Sequence, residues 1–232
     1  MSVLRARDLH YALPAERPGE PPRPLLRGVD VEIEGGELVT LEGPSGTGKT
    51  VLGTSVLRLR PPPSSGQIFW GSTDVTNASA GSLRPLRRTY QGMLQHTGAL
   101  LPPFLRLRAA LLESVRAVRT APVSDAGAEE IEQVAELLGI GHLLSRYPRH
   151  LSGGEQRRAS LARLILVRPA FAFIDEPDAG LDGPSAVEVM RAIRTLVSET
   201  GAGVLLVTHQ ADLAAAFSDR RLRLEGGQVG EL

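Results

Sequence analysis

The sequence predicts an α/β domain with a mainly parallel sheet, because short apolar segments of strand length alternate with helix-like segments. Residues 37–43, 170–176 and 203–209 are three such β-like segments. The last two are short and apolar enough to be strands buried on both faces, as in a parallel sheet. Between them, residues 184–200 read as a helix.

The remaining segments predict two additions to this sheet. Residues 66–75 are typical of an edge hairpin, which indicates a small antiparallel β subdomain. Residues from about 97 to 165 contain no convincing strand, and the helical pattern of residues 129–147 is closed by Gly139 and Gly141. This middle stretch is therefore predicted to be an inserted α-helical subdomain.

Prolines mark two predicted breaks in regular structure. A helix-like segment covers residues 49–60, and we expect the prolines at 61–63 to end it, because proline lacks an N–H and clashes with the preceding turn. Residues 14–24 are too rich in proline for a helix or a strand. We expect them to form a surface loop.

Composition restricts the classes of function. The chain has 232 residues, of which 42% are hydrophobic, and this is enough for one packed domain. Its 26 basic and 26 acidic residues balance, so no global field indicates nucleic acid as a partner. The absence of cysteine excludes disulfides and thiolate metal sites. No segment reaches the roughly 18–20 apolar residues of a membrane span, so we predict a cytoplasmic protein that meets a membrane only through a partner.

A phosphate-binding loop is predicted at residues 43–50. Their sequence, GPSGTGKT, matches G-x-x-x-x-G-K-[ST] and lies between a strand-like and a helix-like segment. The glycines let backbone N–H groups converge on a phosphate, and the following helix adds its positive end. Lys49 is expected to reach the β- and γ-phosphates, and Thr50 to offer its hydroxyl to Mg²⁺. The predicted nucleotide-binding residues of this segment are Gly43, Pro44, Ser45, Gly46, Thr47, Gly48, Lys49, Thr50 and Val51.

An acidic strand end supplies the expected partner of this loop. The apolar segment that precedes Asp175 delivers its carboxylate to the edge of the sheet, where it can contact the Mg²⁺ shell. Glu176 follows directly and is predicted to act as the general base that polarises an attacking water. Alone, Asp-Glu-Pro would be a simple boundary between strand and loop, but the phosphate-binding loop favours the functional interpretation.

Three motifs in this order resemble the ATP-binding subunit of an ABC transporter. They are the phosphate-binding loop, LSGGEQ at residues 151–156 and FIDEP at residues 173–177. The interval between Lys49 and Ser152 is also similar to that of the family. LSGGEQ is the most specific of the three, because other phosphate-loop ATPases lack it.

The resemblance covers nearly the whole chain and implies one ABC ATPase domain, residues 1–232, with a P-loop NTPase (RecA-like) core. By resemblance, residues 1–95 and 166–232 form the nucleotide-binding core with its β subdomain. Residues 96–165 form the helical subdomain that carries LSGGEQ. The implied cofactors are ATP and Mg²⁺.

The resemblance also implies that LSGGEQ closes on the γ-phosphate of ATP held by a second subunit, in a head-to-tail dimer. Ser152 would supply a hydroxyl, and Gly153 and Gly154 would let backbone N–H groups approach the phosphate, with Glu155 beside them. The helix that begins there aims its dipole at the anion. A capping serine followed by two glycines would explain the local shape without any ligand.

Further roles are carried over residue by residue. Tyr11 corresponds to the aromatic residue that stacks on adenine. Gln95 is similar to the glutamine that senses Mg²⁺ and the attacking water, and whose loop meets the membrane subunits. Gln91 is a competing candidate for that role.

Downstream of FIDEP, Asp182 resembles the acidic member of the loop that communicates across the dimer. His209 corresponds to the histidine that contacts the γ-phosphate. Gln210 replaces an aspartate often found next, and we expect it to tune the neighbouring loop without removing activity. The predicted catalytic residues are Glu176, His209, Gln95 and Lys49, and the predicted metal-binding residues are Thr50, Gln95 and Asp175.

The transported cargo is harder to predict. Residues 95–115 and the segment RYPRHLSGGEQRR resemble peptide and nickel importers, so the prediction is an importer of peptides, nickel or a related small solute. LLP at residues 100–102 is equally similar to lipoprotein-releasing and macrolide-type export ATPases. A soluble ABC ATPase without a transport role is a further alternative.

The partners follow from the resemblance. They are a second copy of the chain or a sister ABC ATPase, and transmembrane permease subunits on the inner face of the cell membrane. The importer interpretation adds a solute-binding protein. Nucleic acid is not expected.

Overall fold

The structure is a computed structural model. Its α-helices alternate along the chain with strands, and the strands form two sheets. It describes residues 1–15, 19, 21–94, 101–118 and 125–232, of which 125–128 are described by their backbone only. The strands are β1 (Ser2–Leu13), β2 (Arg23–Glu34), β3 (Leu38–Glu42), β4 (Ser65–Trp70), β5 (Thr73–Asp74), β6 (Tyr90–Met93), β7 (Phe171–Asp175), β8 (Gly203–Val207), β9 (Arg220–Glu225) and β10 (Gln228–Glu231). The helices are α1 (Lys49–Val56), α2 (Ala80–Leu86), α3 (Leu107–Val118), α4 (Asp125–Leu137), α5 (Gly153–Val167), α6 (Gly183–Thr200) and α7 (Ala211–Phe217).

The larger sheet has the strand order β10-β9-β3-β8-β7-β6. Each neighbouring pair is parallel except β10 and β9, which pair antiparallel at one edge. The three segments predicted as strands are β3, β7 and β8, and they are adjacent in the middle of this sheet. The predicted α/β class with a mainly parallel sheet is therefore confirmed.

Both faces of the larger sheet are covered, as apolar parallel strands require. On β7, Phe171 and Phe173 point into one hydrophobic cluster, whereas Ala172 and Ile174 point into the other. Helix α1 packs very closely on the first of these faces. A Cβ atom added to Gly53 would lie 2.1 Å from Cζ of Phe173, so only glycine permits this approach. The contact fixes α1 against the middle of β7.

The smaller sheet is antiparallel, with the order β2-β1-β4-β5. The predicted edge hairpin is β4 and β5, in which Phe69 pairs with Asp74. The long strands β1 and β2 are not predicted from the sequence, and they flank the proline-rich segment expected to be a loop. Because β2 begins at Arg23, the last two residues of that segment belong to a strand.

Helices α3, α4 and α5 occupy the middle of the chain, and the described residues between 101 and 165 contain no strand. Their apolar faces join the cluster on one side of the larger sheet. Helix α4 ends before Gly139, whose φ of 63° reverses the chain as predicted. Within the described ranges, no helix has the length and apolar character needed to cross a membrane.

Helix α1 ends earlier than predicted. It stops at Val56, before the prolines, and Arg58 adopts a left-handed φ of 52°. The cause is tertiary, because the buried Arg58 guanidinium donates to the carbonyl oxygen of Val75 (2.9 Å) and the Arg58 carbonyl oxygen accepts from the Arg87 guanidinium (2.9 Å). These contacts hold a turn that the local sequence does not indicate.

Candidate functional site

The loop between β3 and α1 has the conformation that its glycines were expected to allow. Gly43, Gly46 and Gly48 have φ values of 146°, 79° and 109°. A Cβ atom on Gly43 would lie 2.4 Å from the carbonyl oxygen of Leu224, so this position needs glycine for space as well as for conformation. No side chain among the described residues caps the start of α1 at Gly48, which leaves its first N–H groups available to an anion.

Lys49 is the only lysine of the chain, and it begins α1. Its ammonium donates to the carbonyl oxygens of Gly43 (2.8 Å) and Pro44 (2.9 Å) within the same loop. Burial lowers the pKa of Lys49, while the carboxylates of Glu176 and Asp175 act in the opposite direction. A compact cation thus lies at the floor of the loop, next to two acidic side chains.

Thr50 and Asp175 meet at the point where α1 starts and β7 ends. The Thr50 hydroxyl donates a hydrogen bond of 2.8 Å to Oδ2 of Asp175. Asp175 is 1% exposed, and burial raises its pKa above the ordinary value, with Glu176 adding to the rise. Its Oδ1 atom is buried and has no hydrogen-bond partner in the part of the chain that the structure describes.

These two oxygen ligands fit Mg²⁺. The ion prefers oxygen donors and usually keeps only one or two protein ligands when a phosphate shares it. No group of three acidic or histidine side chains among the described residues could hold a metal ion alone. The donor set therefore suits an ion that arrives with a nucleotide.

Glu176 and His209 face each other across the ends of β7 and β8. Nε2 of His209 lies 2.8 Å from Oε1 of Glu176, and the backbone N–H of Glu176 donates to the carbonyl oxygen of Val207 at 2.9 Å. Glu176 has a left-handed φ of 49°, uncommon for a residue with a side chain. Such strain is found where the surrounding structure must direct one side chain.

A cavity of about 530 Å³ opens over these groups, a size suited to a small organic molecule. One end is polar and the other carries leucines from β1 and β2. The cavity is lined by Leu13, Arg23, Leu25, Ser45, Gly46, Gly48, Lys49, Thr50, Val51, Glu176 and His209. Leu13, Arg23 and Leu25 are not predicted from the sequence, because only the pairing of β1 with β2 brings them here.

The structure does not bring every predicted residue to this cavity. Tyr11 is 8% exposed and packs in the hydrophobic cluster beneath the smaller sheet, so the aromatic position predicted from the resemblance is not at the cavity wall. The reason is strand geometry, because the pairing of β1 with β2 shifts register between Tyr11 and Ala12, so that Leu13 does not continue the face of Tyr11 and it is Leu13 that lines the cavity. Gln91 is turned away as well, since its amide donates to the carbonyl oxygen of Arg87 and accepts from Arg163. Gln95 lies outside the described residues.

Ser152 begins α5 in a capping box. Its hydroxyl accepts from the N–H of Glu155 (3.3 Å), and the Glu155 carboxylate accepts from the N–H of Ser152 (2.7 Å). These bonds hold the pKa of Glu155 below its usual value. Ser152 and Gly153 are exposed on the surface of this chain. Asp182 similarly caps α6, where its carboxylate accepts from the N–H of Ser185 at 2.8 Å.

Comparison with known proteins shows which protein family the chain belongs to. A family model described as ABC transporter matches residues 26–179, which run from β2 through the phosphate loop to the turn after Glu176. The chain belongs to the ABC transporter ATP-binding family. It is therefore an ABC ATPase, which binds and hydrolyses ATP and energises a transporter.

Individual relatives are likewise ATP-binding proteins of transport or export systems. The chain is 34% identical over 209 residues to the lipoprotein-releasing system ATP-binding protein LolD of Myxococcus xanthus, covering 89% of this chain and 90% of that protein. It is 34% identical over 212 residues to the L-cystine transport system ATP-binding protein TcyN of Escherichia coli, covering 89% and 83%. It is 34% identical over 213 residues to the macrolide export protein MacB of Marinobacter nauticus, covering 92% of this chain and 32% of that protein.

A solved structure of this ABC ATPase family matches the whole fold. It is a dimeric ATP-binding cassette in a post-hydrolysis state bound to ADP and Pi, with a TM-score of 0.85 and 25% identity, covering 99% of this chain and 97% of that one. The relatives above do not support the predicted assignment to peptide and nickel importers. Two of them, LolD and MacB, are of the kinds named in the alternative that the LLP segment suggested, whereas TcyN is not.

Proposed function

We propose that this ABC ATPase drives a transport system of the lipoprotein-releasing or macrolide-exporting type. One observation carries the ATPase part: Lys49, Thr50, Glu176 and His209 line one cavity, and Asp175 is bound to Thr50 at its edge. The LolD and MacB relatives support the class of system. The TcyN relative supports an alternative, a transporter for a small amino-acid solute.

In this proposal the nucleotide lies with its phosphates on the loop of residues 43–48 and its base toward the leucines. Lys49 would leave the loop carbonyls that it now contacts and bind the β- and γ-phosphates, because phosphate oxygens are stronger partners for an ammonium than amide carbonyls are. The aliphatic side chains of Leu13 and Leu25 would cover one face of the base. Arg23 lies at the same end and can approach the base or the ribose.

Thr50 and Asp175 would hold Mg²⁺, which would supply positive charge to the phosphate oxygens. Glu176 would accept a proton from the attacking water, and His209 would fix the Glu176 carboxylate by the hydrogen bond that joins them. The position of Glu176, at the end of a buried strand and with a strained backbone, holds its carboxylate at the mouth of the cavity. These roles require no rearrangement of the sheet.

The composite site with a second subunit is supported by two glycines that this chain does not need for its own packing. Among the described residues, a Cβ atom added to Gly153 would meet nothing within 4 Å, and one added to Gly154 would make only an ordinary contact of 3.5 Å with Leu181. Ser152 and Gly153, at the start of α5, are exposed. We therefore propose that this face closes on the ATP of a second copy or a sister ATPase.

A surface on the helical region is our candidate for the membrane subunits. Phe104 is 82% exposed, just before α3. A cavity of about 760 Å³ opens between α3, α4 and the turn at 141–145, and its lining combines apolar Ala109, Leu112 and Leu144 with charged Arg106 and Glu136. An apolar groove with charged residues in its lining suits an amphipathic helix. The chain would then be bound to the membrane through these subunits.

A pull-down from detergent-solubilised native membranes tests the transport class. Tagged wild-type chain should recover membrane subunits of the lipoprotein-releasing or macrolide-exporting type, whereas Phe104→Glu should recover less of them with unchanged ATP hydrolysis. Recovery of an amino-acid permease with a solute-binding protein would favour the alternative class. Recovery of no membrane protein would contradict the transport proposal.

A further inference from the structure

One carboxylate holds both neighbours of His209. Oδ2 of Asp178 accepts a hydrogen bond from the Thr208 hydroxyl (2.7 Å) and another from the Gln210 side-chain amide (2.8 Å). The Thr208 hydroxyl in turn accepts from the backbone N–H of Gln210 at 3.1 Å. The residues before and after His209 are therefore tied to a single oxygen atom. We call Asp178, Thr208 and Gln210 the carboxylate clamp.

The clamp is buried. Asp178 and Thr208 are each 3% exposed, so their hydrogen bonds form in a region of low dielectric, where bonds to a charged acceptor are strong. The other oxygen of Asp178, Oδ1, is buried without a hydrogen-bond partner among the described residues. Thr208 and Gln210 thus supply the hydrogen bonds that stabilise this carboxylate, and losing either would leave it poorly satisfied.

The backbone joins the clamp to Glu176 and His209, the two residues proposed above to act in catalysis. Asp178 follows Glu176 by two residues, and the N–H of Glu176 donates to the carbonyl oxygen of Val207, next to Thr208. His209 contacts Glu176 at 2.8 Å from the other side. A closed ring of contacts results, with Glu176 and Asp178 on one segment and Thr208 to Gln210 on the other.

We propose that Asp178 and Gln210 are positioning residues that set the imidazole of His209 against Glu176. The inference rests on the roles proposed above for Glu176 and His209. Position 210 requires a hydrogen-bond donor, because a carboxylate there would face the buried Asp178 carboxylate. Asp178 also begins the turn that leads to Asp182, since the N–H of Leu181 donates to the Asp178 carbonyl oxygen at 3.1 Å. The clamp therefore links His209 to the segment expected to face the second subunit.

Gln210→Glu is the sharpest test, because it keeps the length of the side chain and replaces the donor by a carboxylate. We expect kcat for ATP hydrolysis to fall about tenfold or more, with KM for ATP unchanged within about twofold, because the clamp does not touch the nucleotide cavity. Gln67→Glu, an exposed change on β4, is the matched control and should leave both constants unchanged. A purely structural role would instead lower the amount of folded protein, and the remaining folded protein would show the wild-type kcat and KM.

The double variant Asp178→Asn with Gln210→Glu should restore activity to within about threefold of wild type, because the amide introduced at position 178 can donate to both the carboxylate introduced at position 210 and the Thr208 hydroxyl. Should Gln210→Glu fail to fold, Gln210→Ala tests the same bond more gently and should lower kcat about threefold. A wild-type kcat in both Gln210→Glu and Gln210→Ala would overturn the inference. A loss of kcat in Gln210→Glu that the double variant does not restore would overturn it as well.

Glu176→Gln separates this inference from the proposed site. If Glu176→Gln abolishes hydrolysis while the Gln210 variants hydrolyse ATP normally, the clamp inference fails and the catalytic site stands. If Glu176→Gln hydrolyses ATP like wild type, the proposed catalytic roles fail, and the inference fails with them.

Discussion

The hydroxyl of Thr50 donates a 2.8 Å hydrogen bond to Oδ2 of Asp175, and this bond joins the first turn of α1 to the carboxyl end of β7. The same carboxylate is desolvated by burial and lies next to Glu176, and both effects raise its pKa. The hydrogen bond from Thr50 and the attraction of Lys49 both lower the pKa of Asp175, but they do not cancel the rise. When it is ionised, the Asp175 carboxylate is therefore a buried negative charge. It suits a bound cation, but without one it lowers the stability of the folded protein.

Asp175→Asn should raise the melting temperature measured without nucleotide or Mg²⁺. A folded-state pKa raised above 3.8 means that the folded state binds its proton more tightly than the unfolded state. Stability is therefore lost as the pH rises through the raised folded value, and the loss persists above it. Asparagine has no proton to lose, so its advantage should be absent near pH 4 and should reach about 2–4 °C at pH 8, the shift that about 1 kcal/mol produces in a chain of this size.

Thermal unfolding of wild type and Asp175→Asn at both pH values measures this difference. Asp212→Asn, an exposed change in the first turn of α7, is the control, and its effect should not grow in the same way. An Asp175→Asn advantage that is equal at both pH values would contradict a raised pKa. The variant should also lose Mg²⁺-dependent ATP hydrolysis, which is a trade of function for stability.

Glu176→Gln should slow hydrolysis while ATP still binds. Glutamine can keep the contact with His209 but cannot accept a proton, and general-base catalysis contributes about 10²–10⁴-fold to a rate. Steady-state hydrolysis should fall by at least about a hundredfold, and size-exclusion chromatography with ATP should show a dimer that wild type forms only briefly. Glu199→Gln, exposed near the end of α6, is the control. A variant that turns over ATP at the wild-type rate would exclude Glu176 as the base.

Lys49 offers a direct reporter of nucleotide binding, because it is the only lysine of the chain. Burial lowers its pKa, so a larger fraction of its amine is neutral and reactive at pH 8 than for an ordinary lysine. An amine-selective acetylating reagent should therefore modify Lys49 and the α-amino group of Met1. ATP at about ten times its Kd should slow the labelling of Lys49 about tenfold, since only the free protein reacts.

Peptide mass spectrometry reads both amines in one sample, and Met1 serves as the internal control because its amino group is exposed and pairs only weakly with Glu34 at 3.5 Å. Labelling of Lys49 that ATP does not change would show that the nucleotide lies elsewhere. Lys49→Ala should correspondingly raise the Kd for ATP. A normal ATP affinity in that variant would contradict the assignment of the phosphate loop.

The parts of the fold that the sequence predicts are those in which local pattern and tertiary environment agree. Strands β7 and β8 are continuous apolar segments, and a strand buried on both faces needs little else. The glycines of the phosphate loop are likewise specified by backbone conformation. The strands β1 and β2 are different, because each is partly exposed and gains its stability from pairing with the other.

The same distinction applies to the site. Glu176 and His209 follow apolar strands in the sequence, so their meeting at one sheet edge can be predicted from the order of strands. Tyr11 could not be placed in the same way, because its exposure depends on which face of β1 is covered. Asp178 could not be predicted either, since its two partners come from the segment that follows β8 and only the folded structure brings them within 2.8 Å.

Gly153→Ala distinguishes a glycine needed for folding from one needed for a partner. Its Cβ would meet no atom of the described residues within 4 Å, and alanine is favoured over glycine in a helix by about 0.5–1 kcal/mol. The variant should therefore melt at the same temperature as wild type or higher. Its ATP-dependent dimerisation and its hydrolysis should nevertheless fall, because the added methyl group would lie between the backbone N–H groups and the phosphate of the second subunit.

Gly81→Ala is the matched control, since Gly81 also lies in the first turn of a helix and its Cβ would come no closer than 3.8 Å to Ser79. It should raise or leave unchanged the melting temperature without affecting hydrolysis. Thermal unfolding, sedimentation with Glu176→Gln as the trapped background, and steady-state ATP hydrolysis measure the three quantities. Normal dimerisation of Gly153→Ala in that background would remove the reason to place the start of α5 against a second nucleotide, and the exposed Ser152 would then act only as a helix cap.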